Sequence, residues 1–212
     1  AEYDYFQDYD WRVTGVVGVG YELIDNDTTL LLPRIGVAVT REFGGSDNRW
    51  VPELNLGFDN LVDDRLAVWT PGTGPGTPGV AGYQVVADEA RSHGGTHSAR
   101  LRAMGGGDQG SLNATLAAAP FRGKRVVLRG WVASEGVGDG WAGLWLRVRG
   151  GASPTLDNME DRGLAGTTVW RELTASVDVA DDAAELSFGV LLVGGGAAWF
   201  DDLRLETTAL VP

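Results

Sequence analysis

Alternating apolar and polar residues recur along this chain, and no stretch repeats apolar residues at helical spacing over three turns. A period of two is the signature of strands, so little helix is expected. Two long strands are predicted first, over residues 11–24 and 28–43. Asp25, Asn26 and Asp27 form the turn between them, residue types that tolerate left-handed backbone. Both exceed the usual strand of about 5 or 6 residues and approach bilayer-crossing length. In the second, Leu31, Pro33, Ile35, Val37, Val39 and Phe43 share one face. The other face is mixed, with Leu30, Leu32, Arg34, Thr40 and Glu42.

From residue 54 the predicted strands are shorter and more numerous, near 54–58, 66–69, 82–88, 97–104, 110–118, 125–134, 141–149, 169–179, 184–193 and 197–206. Glycine and proline clusters at 71–79, 105–107, 150–154 and 194–196 punctuate them. This rhythm predicts a two-sheet sandwich or jelly roll. Residues 70–79 offer no side chains to bury and are expected as a solvent loop, and the glycines at 105–107 and 194–196 as hairpin turns. The fold class expected is therefore all-β, a jelly-roll β-sandwich preceded by a long antiparallel β-hairpin. The expected organisation is a barrel-like hairpin segment over 1–53, the sandwich over 54–206 and a tail over 207–212.

Composition sharpens this picture at a few points. The 32 glycines and 8 tryptophans suit strands joined by tight turns. The formal charge of −12 argues against a nucleic-acid partner, because such binding draws on phosphate neutralisation. With no cysteine, disulfides and thiolate metal sites are excluded. No apolar run reaches the roughly 18 residues of a membrane helix, and no signal peptide is recognised. The basic cluster Arg122, Lys124, Arg125 and Arg129 is expected to be a solvated strand edge.

Catalytic signatures are missing. The two histidines, His93 and His97, lie in a glycine-rich turn, where an i, i+4 pair lacks the helix that would align it on a metal. The acid pairs Asp63/Asp64, Glu160/Asp161 and Asp181/Asp182 are sequence neighbours that point apart, unlike carboxylates facing across a cleft. No nucleophile elbow or phosphate loop is present.

A binding face is better supported. Over residues 140–147 alternation sets Trp141, Gly143, Trp145 and Arg147 on one side and Ala142, Leu144, Leu146 and Val148 on the other. The aliphatic set reads as core. The other set offers aromatic platforms and a cation suited to a sugar, and Asp157, Asn158 and Arg162 in the following loop would add hydrogen bonds. Alternatively, the N-terminal hairpin covers this face and buries both tryptophans. Trp131, Trp170 and Trp199 are expected in the core.

Two resemblances bear on these segments. Tyr5-Phe6-Gln7-Asp8-Tyr9-Asp10-Trp11-Arg12, Gly18-Val19-Gly20-Tyr21, Thr40-Arg41-Glu42-Phe43-Gly44-Gly45 and Trp50-Val51-Pro52-Glu53 resemble the family of salt-induced outer-membrane β-barrel proteins of unknown function. Two or three strands cannot close a barrel, so this resemblance implies a fragment completed by other chains or missing its own remainder; the alternative is that the long hairpin adds to the sandwich or stands as a curved ribbon beside it.

Residues 54–206 resemble the jelly-roll carbohydrate-binding modules. The carrying motifs are Asn55-Leu56-Gly57-Phe58-Asp59, the turn Ser92-His93-Gly94-Gly95-Thr96-His97-Ser98, Gly130-Trp131-Val132, and the closing Trp199-Phe200-Asp201-Asp202-Leu203. The resemblance implies a structural calcium held by Asp59, Asp201 and the backbone carbonyls of Ser92 and Gly95. It departs from the pattern at Asp59, where the family usually carries Glu.

The expected function is a non-catalytic sandwich that binds carbohydrate or another cell-envelope ligand, with an extracellular or envelope location. A structural assembly protein, self-associating or joining envelope proteins through its hairpin, is the alternative. An accessory or sensory domain of a larger enzyme or regulator is a third.

Overall fold

A computed structural model describes backbone and side chains for residues 82–105, 108–150 and 155–210, and only the backbone of the strands before residue 80. The chain opens with β1 (Trp11–Gly20), the short pair β2 (Ile24–Asn26) and β3 (Thr29–Leu31), β4 (Arg34–Phe43) and β5 (Trp50–Leu56). Then come β6 (Leu61–Val62), β7 (Arg65–Leu66), β8 (Thr70–Gly74) and β9 (Thr77–Pro78). The remaining strands are β10 (Tyr83–Asp88), β11 (Ser98–Ala103), β12 (Gln109–Ala117), β13 (Lys124–Arg149), β14 (Thr155–Asp157), β15 (Leu164–Val179), β16 (Glu185–Val193) and β17 (Ala197–Ala209). The fold is all-β; no helix of the described residues is long and apolar enough to cross a membrane.

β13 explains the architecture. Its first half pairs with β15 and β17, and residues 142–149 pair with β16. One strand of 26 residues thus runs through both layers, where two separate strands over 125–134 and 141–149 were expected. The residues between them do not break the pairing; they bend it. Gly136 and Asp139 take positive φ, and the register against β15 slips at 132/134, 134/137 and 137/142. Successive irregularities of this kind let a strand turn a corner without surrendering its ladder.

The continuous strand order is β1-β4-β5-β17-β13-β16-β12-β8-β9, with β11 on β17 and β10 on β11, and with β14 and β15 on β13. Between the layers lie Leu101, Val126, Leu128, Val132, Phe200 and Leu205 from one side, and Leu112, Leu144, Leu146, Leu186, Phe188 and Val190 from the other, in one buried cluster. Each such side chain stabilises the fold by roughly 1.5–3 kcal/mol. The aliphatic face expected for residues 142–148 is the core side.

Three local expectations are corrected. Residues 70–79 are not simply a solvent loop, because β8 pairs with β12 from Ser111↔Gly72 to Asn113↔Thr70. Pairing uses backbone groups, so a segment without side chains to bury can still extend a sheet. The glycines at 194–196 do not close a hairpin: β16 and β17 lie on either side of β13, and the turn carries the chain across it. Trp131, Trp170 and Trp199 stand outside the main core. Trp199, 7% exposed, packs with Ala133, Ala197 and the half-buried Trp170 on the outer face of the β15-β13-β17 layer.

The two motifs expected to mark the ends of the sandwich pair with each other. Leu54, Asn55 and Leu56 of β5 stand opposite Leu205, Arg204 and Leu203 of β17. Because β4 also pairs with β5, the N-terminal hairpin continues this sheet edge to edge. The hairpin itself runs in register from Trp11↔Phe43 to Gly20↔Arg34.

Candidate functional site

The outer face of β12, β16 and β13 is built from the residues that alternate with the core. Asn113 stands opposite Gly189, and Gly189 stands opposite Trp145, so the three form one row across three strands. On one side lies the row Ser111, Leu191 and Gly143, and on the other Thr115, Ser187 and Arg147. The face therefore carries one aromatic ring among small residues, with Leu191 and Arg147 as its other large side chains. Thr115 and Ser187 share a hydroxyl–hydroxyl hydrogen bond of 3.1 Å, and the Ser187 hydroxyl also donates to Glu185 Oε1.

Trp145 is 1% exposed, so it is not the open platform that its pattern predicted. Gly189 makes room for its ring: a Cβ there would lie 3.0 Å from Trp145 Nε1 and would collide with the Leu112 carbonyl oxygen. Yet the buried Nε1 has no hydrogen-bond partner among the described residues, and neither has Asn113 Oδ1. A donor and an acceptor left unmet on one row are costly, because each gave up water without replacement.

The remaining residues of the expected site form a latch instead. Asp157 Oδ2 accepts from Arg162 Nη2 at 2.5 Å and from the Ser176 N–H at 2.9 Å, while Asp157 Oδ1 accepts from the Met159 N–H. Arg162 also donates to Asp161 and to the Thr174 carbonyl. The Arg162 guanidinium is held above its ordinary pKa, first by the hydrogen bond to Asp157. Asn158 Oδ1 accepts from the Glu160 N–H, and its carbonyl takes the Trp141 indole N–H at 3.1 Å. Trp141 lies against Gly163, where a Cβ would meet its ring at 2.4 Å. The latch seats Met159, 1% exposed and at φ +57°, with its sulfur accepting the Leu144 N–H. Trp141, Asp157, Asn158 and Arg162 thus pin a turn beside the face, and Arg147 is half-buried on the face itself.

At the other expected site, Asp59 lies outside the described residues. Asp201, 3% exposed, accepts backbone N–H groups from His93 and Gly94 on Oδ2 and from Asp202 on Oδ1. Burial is the largest influence on its carboxyl and raises its pKa, outweighing those three hydrogen bonds. Two donors occupy Oδ2, leaving a cation at most one side of Oδ1; Ser92 and Gly95 belong to the turn that Asp201 anchors. No group of three or more His, Asp or Glu among the described residues is placed to hold a metal.

The histidine turn was expected at the surface and is more engaged than that. The His93 ring stacks on Trp131 at 4.0 Å with planes 12° apart, and its Nδ1 lies 2.6 Å from Asp202 Oδ2. Arg91 lies over Trp199 at 4.3 Å. Asp88, on the same face, accepts the Trp199 indole N–H and pairs with Arg100. Burial pushes the Asp88 carboxyl up, but the donors from Trp199 and Ala90 and the charge of Arg100 together leave its pKa lowered.

Residues 1–73 match the family model described as "Protein of unknown function, DUF481", consistent with the resemblance of that segment to a barrel family of unknown function. Among solved structures, the tandem CBM22-1–CBM22-2 domain of Paenibacillus barcinonensis Xyn10C superposes with a TM-score of 0.51 at 15% identity, covering 75% of this chain and 45% of that one. The enzymatically active domain of bacteriophage CBA120 tailspike protein 4 superposes with a TM-score of 0.50 at 10% identity, covering 68% of this chain and 20% of that one. These likenesses establish the jelly-roll sandwich fold. In sequence, the chain is 39% identical over 88 residues to the uncharacterized HTH-type transcriptional regulator YbfP of Bacillus subtilis (strain 168). That match takes in 41% of this chain and spans 30% of the regulator's length.

Proposed function

We propose that this chain is a non-catalytic β-sandwich that binds carbohydrate on the outer face of β12, β16 and β13. The observation that carries this reading is the jelly-roll sandwich, the fold also of the carbohydrate-binding-module domains of Xyn10C, with the half-buried Asn113 and Arg147 on the same sheet face as Trp145. Sugars are bound by aromatic surface together with polar groups that have unmet hydrogen bonds. The row through Gly189 holds neither acid nor base, so it supplies recognition and no proton transfer. The jelly-roll fold, which the carbohydrate-binding-module domain of Xyn10C also has, is compatible with this role. An extracellular or envelope setting suits a glycan ligand, and the stretch of likeness to a larger regulator is compatible with the domain serving as an accessory part of a longer chain.

Glycan-array binding by the full chain, with Trp145→Phe as control, tests the reading. Binding to at least one glycan that weakens in the variant is expected. A blank array sinks it.

A further inference from the structure

One layer of the sandwich runs on through β17 and β5 into the N-terminal hairpin. It reads β15-β13-β17-β5-β4-β1, antiparallel at every step, so its two margins among the described residues are β15 and β1. The margins differ. Along β15 the backbone is guarded by side chains: Arg91 donates to the Thr168 carbonyl, Arg162 to the Thr174 carbonyl and Thr155 to the Asp178 carbonyl, while the Ser176 N–H donates to Asp157. Groups engaged in this way are not open to an incoming strand. Sheet edges are otherwise protected by charge, proline, a bulge or brevity. β1 is ten residues long, pairs with β4 from Trp11↔Phe43 to Gly20↔Arg34 without a register shift, and holds no proline and no charged residue beyond Arg12.

We propose that β1 is the docking edge for β1 of a second copy of this chain, the two strands paired antiparallel about a two-fold axis. Every second residue of β1 directs its N–H and C=O away from β4. An extended backbone offers donors and acceptors at that same spacing, so the occupant is a strand. Charge and closure select this strand. In a pairing centred on Gly15 or Val16 the paired numbers sum to 30 or 32, which sets Arg12 opposite Gly18 or Gly20, so no like charges meet. A head-to-tail contact, β1 of one copy on β15 of the next, would propagate without end. The side-chain caps on β15 block it, and the remaining contact of β1 with β1 stops at two copies. The outer face of β12, β16 and β13 is untouched by such a dimer, since none of these strands borders β1.

The test is sedimentation of the full chain over a concentration series, alongside Val16→Pro and Val17→Pro. One of these two prolines falls where the N–H points away from β4, so it removes a donor from the dimer contact and none from the hairpin. Circular dichroism identifies the variant that keeps the fold. The wild type should sediment as a dimer that dissociates on dilution, and the folded proline variant should dimerise about tenfold more weakly or not at all. A second measurement stands even where both prolines unfold the chain. The sequence has no cysteine, so Thr14→Cys, Gly15→Cys, Val16→Cys and Gly18→Cys each introduce a single thiol. Oxidation should join two copies best at Gly15→Cys or Val16→Cys, because thiols two residues from the axis lie roughly 13 Å apart along the strands, beyond disulfide reach. A wild type that stays monomeric would overturn the proposal. So would a mass that grows past two copies, a folded proline variant that dimerises like the wild type, or cross-linking without a maximum at the centre.

Discussion

Two buried carboxyls on the β17 side of the molecule respond to their surroundings in opposite senses. Asp201 is raised, chiefly by burial, whereas Asp88 is lowered because its donors outweigh its burial. For Asp201 the folded state binds the proton more tightly than the unfolded chain, whose carboxyl titrates near 3.9. Its contribution to stability is therefore full below that value and is lost as pH rises through the folded pKa. Asp88 contributes above the unfolded value and loses that contribution as pH falls through its own lowered pKa. Denaturant unfolding of wild type and Asp201→Asn across the acid range should show the wild type gaining on the variant as pH drops through that window. A difference that is flat with pH would show that Asp201 titrates alike in both states. Neither behaviour was legible in the sequence. The motif gives Asp201 only as a calcium ligand; the turn's N–H groups, folded back onto it, make it the anchor of a backbone turn as well. Asn113 was missed altogether. Its alternation with Leu112 and Ala114 put it on the outer face, but nothing in the sequence said that β16 would set Gly189 between it and Trp145.

Among elements, β13 was the least legible although its residues are the most regular. Both halves were found by alternation, yet the glycines between them signalled a break when they provide a bend. Composition alone cannot distinguish these, because a bulged strand and a loop use the same residue types. The loop after β14 shows the converse error. Asp157, Asn158 and Arg162 have the chemistry of a sugar site, but their hydrogen bonds are already made within the turn. Asp157 is its keystone, accepting from Met159, Ser176 and Arg162. Asp157→Ala should therefore destabilise the chain by about 1–3 kcal/mol, seen as a lower denaturant midpoint. Trp141 fluorescence should shift as its support at Asn158 and Gly163 loosens. An unchanged midpoint would show that the turn is held by Met159 packing and not by the carboxylate.

At the scale of the molecule, the pairing of β5 with β17 makes one sheet of two segments that read differently in sequence. The motifs around Asn55 and Leu203 were legible as the ends of the sandwich. Their pairing follows from the antiparallel register that sets Leu56 opposite Leu203 and Glu53 opposite Glu206. In such a ladder alternate residues of β17 direct their amides toward β5 and the others toward β13. Deleting residues 1–56 should then strip exchange protection from alternate amides within residues 203–206, since those lose their acceptors to water. Residues 144–148, flanked by β16 and by β14 or the latch, should keep theirs, because neither neighbour involves the deleted segment. Protection at 203–206 that survives the deletion would mean that β5 is not the partner of β17 in solution. Protection lost in both places would mean that the N-terminal strands hold up the whole sandwich and not only the edge they extend.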